Sequence, residues 1–352
     1  MGSIDTPTPS GRRRNRISMR KALRLVAGFA LSGLFVWLIF RTVSLGGIVD
    51  ALRDVRLGWM AFAVIFFVAG YLCRIWRWRL MLMSENPAIS LGRCSVALMT
   101  SIATNNLLPF RAGDALRGFA FPSWLGVRTA SVLASLVAER LMDLLMLLLF
   151  LGAALFWFRT DIAAVEHVAE SGGVLLLGAV VVGVLLVKPQ AFESPLQSVI
   201  YMLRRRNKTL ATKLSVETRR LFETLSALTR GRRLGHLLCW SLLGWAFEAC
   251  VFYAVARAVP ALAEPVAAWL AMPMGTLSTL LPSSPGYVGT FHYFVMSAAE
   301  ALGNTEVAAA AFAVLIHFIL WVTATLWGAV SALIWVMTRL PTSRQTQEAF
   351  PR

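Results

Sequence analysis

Apolar residues run almost without interruption along most of the chain, and the polar residues collect in clusters between the runs. Nearly uncharged windows at Leu25–Phe40, Trp59–Cys73, Leu141–Phe158, Val174–Val187 and Ala308–Met337 are long enough, or close to it, to cross a hydrocarbon layer of ~30 Å. The pattern predicts membrane-spanning helices over about 22–41, 57–73, 127–157, 172–188, 234–257 and 305–337. Two stretches, 90–121 and 266–302, are too long for loops and too broken by proline and glycine for single helices. A third, 189–233, carries Leu196, Ile200, Leu203, Leu210, Leu214, Leu221, Leu225 and Leu228 at helical spacing. Those positions make one apolar stripe, as in an amphipathic connector docked on the protein or the membrane surface.

Composition agrees: 57% of the residues are hydrophobic and only 15% charged, which excludes a disordered chain and makes an all-α polytopic membrane protein the expected class. The formal net charge of +16 would suit a nucleic-acid partner, but its placement argues for topology instead. Arginines and lysines crowd before the first span, after the second and through 188–233, whereas 159–171 holds Asp161, Glu166 and Glu170 against a single arginine. Basic loops alternating with acidic ones place both termini in the cytoplasm, with no nucleic-acid partner. The apolar run after the basic N-terminus is long and lacks a small-residue cleavage site, as in an uncleaved signal anchor. The expected organisation is a disordered basic segment over 1–18, one transmembrane domain over 19–338 and a cytoplasmic tail over 339–352. The four cysteines show no metal-ligand spacing and read as packing residues, so neither metal nor cofactor is expected.

Counting crossings leaves 90–121 with both ends on the cytoplasmic side and 266–302 with both ends outside. Re-entrant hairpins entering from opposite faces satisfy that parity; two proline-kinked helix pairs are the alternative. Leu107-Leu108-Pro109-x-x-x-Gly113 in the first stretch matches Leu280-Leu281-Pro282-x-x-x-Gly286 in the second at the same spacing. Span, hairpin and span thus occur twice in opposite orientation, about 57–157 and about 234–337, an inverted-repeat helical bundle with broken helices of the kind found in many transporters. The breaks fall at Pro109, Gly113, Pro282, Pro285, Gly286 and Gly289.

Polar chemistry concentrates beside those breaks. Arg111, Asp114 and Arg117 recur every three residues and, if helical, share a face next to a helix start, where free N–H groups and two guanidinium groups suit a phosphate or pyrophosphate. With Asn105 and Asn106 they form the candidate lipid-headgroup site; the alternative is that Asp114 only neutralises the two arginines. In the third span Glu139 and Asp143 lie on one face with Arg140 turned away, and such carboxylates need a cation, with Arg111 or Arg117 in reach from the hairpin. Glu248 and His292 complete a candidate intramembrane charge relay or clamp, while His317, Ser278, Thr279, Ser283 and Ser284 are further polar groups beside the second break. No phosphate-binding loop, dinucleotide fingerprint, HExxH or GxSxG element occurs, so no catalytic residue is assigned and a non-enzymatic protein is expected.

The ordered set Asn106-x-x-Pro109-x-Arg111-x-Gly113-Asp114-x-x-Arg117, Glu139-Arg140-x-x-Asp143 and Leu281-Pro282-x-x-Pro285-Gly286-x-x-Gly289 resembles the lysylphosphatidylglycerol synthase transmembrane region, a flippase-like integral membrane family, over roughly 20–338. The resemblance implies a bundle of about eight helices with broken elements, in the plasma membrane of a bacterium, that moves or handles lipids. Members are associated with aminoacylated phospholipids, hopanoids or lipid-linked glycans. The expected function is translocation of an anionic lipid or lipid-linked headgroup; the alternative is a membrane-embedded transferase or an accessory subunit of a separate lipid-modifying enzyme. Two departures matter: the sequence shows no soluble aminoacyl transferase domain, and His292 stands where members often carry an acidic residue.

Overall fold

In a computed structural model, residues 28–158, 165–203, 208–228, 230–281 and 283–339 are described. Pro282, the segment 1–18 and the tail beyond 339 lie outside them. Among the described residues fourteen α-helices follow one another: α1 (Gly28–Thr42), α2 (Leu45–Leu52), α3 (Leu57–Leu82), α4 (Leu91–Leu107), α5 (Ala112–Phe119), α6 (Pro122–Leu125), α7 (Thr129–Trp157), α8 (Val165–Val187), α9 (Glu193–Leu203), α10 (Lys208–Leu228), α11 (Arg232–Ala258), α12 (Ala268–Ser278), α13 (Thr290–Glu300) and α14 (Glu306–Arg339). Among the described residues α3, α7, α11 and α14 are each long and apolar enough to cross a bilayer, and no strand occurs. The protein is a multi-pass membrane protein.

Two boundaries depart from expectation. Helix α1 does not simply end near residue 41; the chain turns by 78° into α2, a short helix capped by the Ser44 hydroxyl accepting from Gly47 N–H. Helix α3 runs nine residues past Cys73, carrying Arg74, Arg77 and Arg79 with it. Nothing in Leu72–Leu82 breaks a helix, and the tryptophans between the arginines pack into the bundle: Trp78 is fully buried and its indole N–H donates to the Ser135 hydroxyl at 2.9 Å. A charge cluster can therefore mark the inside of a helix pair as readily as its end.

Hydrogen bonds fix which ends meet. At one face Arg56 N–H donates to the Ala258 carbonyl, joining the start of α3 to the end of α11. There too Asn304 holds both ends of the α12–α13 hairpin, its oxygen accepting from Glu264 N–H at 2.9 Å and its amide donating to the carbonyls of Glu264 and Ala299. At the opposite face Arg233 donates to the carbonyls that end α3, and Asn86 donates to the Leu125 carbonyl at 2.8 Å, closing the α4–α5 hairpin. Each hairpin thus enters and leaves by one face, and the two faces are opposite. Both are re-entrant.

The repeats cross where α3 passes α11. Gly70 and Gly244 sit at matching positions there, each so close to the other helix that a methyl group would touch the partner glycine's carbonyl oxygen at 3.3 and 3.6 Å. Small residues at a crossing allow backbones to approach and gain packing in lipid, where hydrophobic burial gives little. Around this crossing α4 packs on α14 while α12 packs on α7, the same exchange made in opposite directions. The buried run Ala308–Ala311 in α14 serves the same close packing beside α13 and α2. Of the apolar stripe in 189–233, Leu225 is buried as α10 docks on α7, with Phe222 from outside the stripe buried beside it, whereas Leu196, Leu210 and Leu214 stay exposed.

Candidate functional site

The first hairpin turns at Leu108–Arg111. Pro109 cannot extend α4, and Phe110 and Arg111 then take left-handed backbone angles, with φ of 62° and 52°. Consecutive left-handed residues without glycine cost ~1–3 kcal/mol each and persist only where the surroundings impose them. Here α5 is pressed against α4: a Cβ on Gly113 would lie 1.8 Å from the Ser101 carbonyl oxygen. Asn105 staples the return, accepting from Gly113 N–H at 2.8 Å and donating to Asp114 at 3.1 Å. Asn106 turns the other way and donates to the Thr325 hydroxyl of α14 at 3.0 Å.

Arg111 is therefore not on a helical face with Asp114 and Arg117. It caps the start of α5 at the tip, while the other two leave in different directions. Arg117 is buried, donates to both oxygens of Glu139 at 3.0 and 3.1 Å, and lies over the Trp78 ring. Asp114 accepts from Arg140 at 2.9 and 3.2 Å, so Arg140, which seemed to point away, reaches the hairpin. Asp143 accepts from Arg77 at 2.8 Å and from the Trp245 indole at 3.2 Å; neither Arg111 nor Arg117 serves it. Glu248 accepts from Arg74 at 3.0 Å, and Arg74 is flanked by the rings of Tyr71 and Trp245. These four pairs tie α5 to α7 twice, α3 to α7 and α3 to α11. Arg74 and Arg77, expected in a cytoplasmic cluster after the second span, are instead ion-pair partners within the bundle; their spacing of three inside an unbroken helix, interleaved with tryptophan, is the signal in the sequence.

The second hairpin turns through Ser283–Gly289. Gly286, Tyr287 and Gly289 are left-handed, and Ser284 N–H donates to the Ser32 hydroxyl of α1 at 2.8 Å. Its tip meets the first tip. Between them lies a cavity of about 390 Å³ lined by Asn105, Pro109, Phe110 and Arg111 from one hairpin, Thr279, Ser283, Ser284 and Pro285 from the other, and Phe29 of α1. Arg111 is the one charged side chain on its wall, and no ion pair holds it among the described residues. A neighbouring cavity of about 180 Å³ shares Thr279, Gly286 and Tyr287 with the first and reaches Asn106, Glu248 and His317. His292 lies beyond it, its ring stacked on His317 at 4.5 Å. No cluster of three metal-ligating side chains occurs among the described residues.

Outside the membrane, Glu85 fastens the start of α7 by accepting from the Arg128 backbone N–H, the Arg128 guanidinium and the Ser131 hydroxyl. Burial alone would raise its carboxyl, but those donors outweigh it and hold the group below the usual carboxylate range.

Two inverted span–hairpin–span units, meeting tip to tip at an open cavity that Arg111 lines, define an all-α membrane protein of inverted-repeat architecture. The chain belongs to the lysylphosphatidylglycerol synthase TM region family, whose sequence model matches residues 25–328. It is also 26% identical over 331 residues to Glycosyltransferase AglD of Haloferax volcanii, an alignment covering 86% of this chain and 53% of that relative. The chain thus spans about half the length of the curated relative it matches. These matches make it a lipid-related membrane protein, and they correct one expectation: with a relative named as an enzyme, the non-enzymatic reading does not stand. The absence of soluble catalytic motifs was its ground, and carboxylates held inside a membrane bundle need no such motif to do chemistry.

Proposed function

We propose that the protein binds the anionic headgroup of a membrane lipid, or of a lipid-linked glycan, at Arg111 and carries it across the bilayer between the two hairpin tips. The observation that carries this reading is a guanidinium that no ion pair holds among the described residues. A cation at the centre of a membrane helix costs ~3 kcal/mol on insertion scales, and the other buried arginines offset that cost with carboxylates. Arg111 instead faces an open cavity that also carries the unpartnered hydroxyl of Ser283, a donor that an anionic oxygen could accept from. Asn105 and Asp114 shape the tip, Asn106 ties it to α14, and Arg117, Glu139, Arg140, Asp143 and Glu248 clamp the surrounding helices, so the two repeats can rock about the α3–α11 crossing without exposing bare charge. The lipid acyl chains stay in the bilayer beside α1.

The test is reconstitution into vesicles with a fluorescent phosphatidylglycerol analogue whose outer-leaflet signal is quenched chemically. Wild-type protein should speed headgroup crossing, Arg111→Ala should slow it at least tenfold, and Arg111→Lys should retain part of the rate. No acceleration for this lipid or for an isoprenyl-phosphate glycan would refute the reading. A second reading rests on the glycosyltransferase relative: a transferase, or the membrane subunit of one, working on the same bound headgroup. The exposed leucines of α9 and α10 offer it a docking surface. Covalent change in the lipid's mass on incubation with a nucleotide- or isoprenyl-linked sugar, lost in Arg111→Ala, would favour that reading over movement alone. In both cases the bilayer is the plasma membrane and the basic loops face the cytoplasm.

A further inference from the structure

Two of the chain's histidines meet inside the bundle without any task in headgroup binding. His292 of α13 and His317 of α14 stack with ring centroids 4.5 Å apart and planes 20° from parallel. Nδ1 of His292 accepts from the Gly289 N–H at 3.3 Å, so its lone pair is engaged and its proton sits on Nε2. Nδ1 of His317 is buried and meets no hydrogen-bond partner. A buried ring nitrogen with no partner is uncommon, because burying a polar atom unpaired is costly. Its ring also forms part of the wall of the smaller cavity, which carries the amide of Asn106, the hydroxyls of Thr276 and Thr279 and the carboxylate of Glu248.

We infer that the His292–His317 stack is a proton-binding site of the membrane interior, taking one proton, at His317. Two positive rings stacked at this distance repel strongly, which limits the pair to one. The proton goes to His317 because protonating His292 at Nδ1 would break its bond to Gly289, whereas adding a proton to the bare lone pair of His317 breaks none. The groups facing the pair decide what its charge does. From α11 comes Glu248, with Arg74 of α3 behind it, and from α3 the Tyr71 hydroxyl. On the other side α1 and α2 present only apolar residues, including Val36, Ile39 and Ile48. Among the described residues Glu248 is the one carboxylate on the wall of the cavity that His317 shares, and an imidazolium at 317 would draw it away from Arg74. That ion pair joins α3 to α11, the helices on which the two repeats cross. A proton on α14 therefore bears on the contact about which the repeats move, while His292 keeps the left-handed Gly289 turn of the second tip in place.

The inference goes beyond headgroup binding, and its test separates the two. Histidine-selective ¹⁵N labelling of the full chain in nanodiscs reads protonation directly, with signals assigned by His→Gln variants. Vesicle assays of the fluorescent phosphatidylglycerol analogue, run at pH 5 to 8, read coupling. The expected results are a His317 signal that titrates as a single site with His292 staying neutral, and a headgroup-crossing rate that changes at least fivefold across that range. His317→Gln and Glu248→Gln should each flatten the rate profile, and retention of the His292 signal certifies that the variants fold. Protonation without any lipid movement would leave the proton site standing and remove the transport reading. Lipid movement with a neutral His317 throughout, or with an unchanged pH profile in His317→Gln, would overturn the inference.

Discussion

Replacing Glu139 by glutamine removes one charge and hardly any volume, leaving Arg117 to stand alone. The Arg117 side chain is 2% exposed and Glu139 11%, so water cannot replace the lost carboxylate. Breaking a buried pair from one side costs ~3–5 kcal/mol, which is two to three and a half orders of magnitude in the folding equilibrium. The Trp78 ring already lies beneath the guanidinium in the wild type, so it offsets none of this loss. A loss of about 3–5 kcal/mol is therefore expected for Glu139→Gln. Removing both charges, in Arg117→Met with Glu139→Gln, should restore most of it, because the desolvation cost goes with the pair. The assay is reversible unfolding in mixed micelles of increasing dodecyl sulfate content, followed by circular dichroism, on wild type, both single variants and the double. A cost below about 1 kcal/mol, or a double variant no more stable than the singles, would refute the claim that Arg117 is desolvated and held by Glu139 alone.

Three further outcomes test other parts of the structure. Gly113→Ala places a methyl group 1.8 Å from the Ser101 carbonyl, a backbone atom that cannot turn aside, so α5 must shift by more than an ångström. Headgroup crossing should fall at least as far as in Arg111→Ala, and a variant of wild-type rate would show that the tip is not rigid. Asn304→Ala strips the clasp of the second hairpin, leaving Glu264 N–H without an acceptor while the carbonyls of Glu264 and Ala299 keep backbone donors, and should cost ~1–3 kcal/mol in the same micelle titration. For Glu85 the sign follows from its lowered pKa: the stabilisation it provides is complete above the ordinary carboxylate value of 4.5 and disappears as pH falls through the depressed one. Wild type should exceed Glu85→Gln in stability at pH 7 and lose that advantage below pH 4; an advantage that persists in acid would contradict the assignment.

The sequence made legible the spans of α3, α7, α11 and α14 and the broken stretches 90–121 and 266–302, while leaving open whether those stretches re-enter or cross as kinked pairs. Those features follow from local physics: a run of apolar residues must lie in lipid, and Pro109, Pro285 and Gly286 interrupt helices wherever they stand. It also pointed to the residues in which charge accumulates. Which charge meets which was a matter for the tertiary structure alone. Asp114 pairs with Arg140 rather than with its hairpin neighbours, and Asp143 with Arg77 from a stretch that looked like a cytoplasmic cluster. Pairing depends on how α3, α5 and α7 are rotated and offset against one another, and the spacing of residues along any one helix carries no record of that. The status of Arg111 followed from the same choice. Its left-handed backbone turns it out of the face shared by Asp114 and Arg117, and once every nearby carboxylate had another partner, it was left facing the cavity where the two hairpins meet.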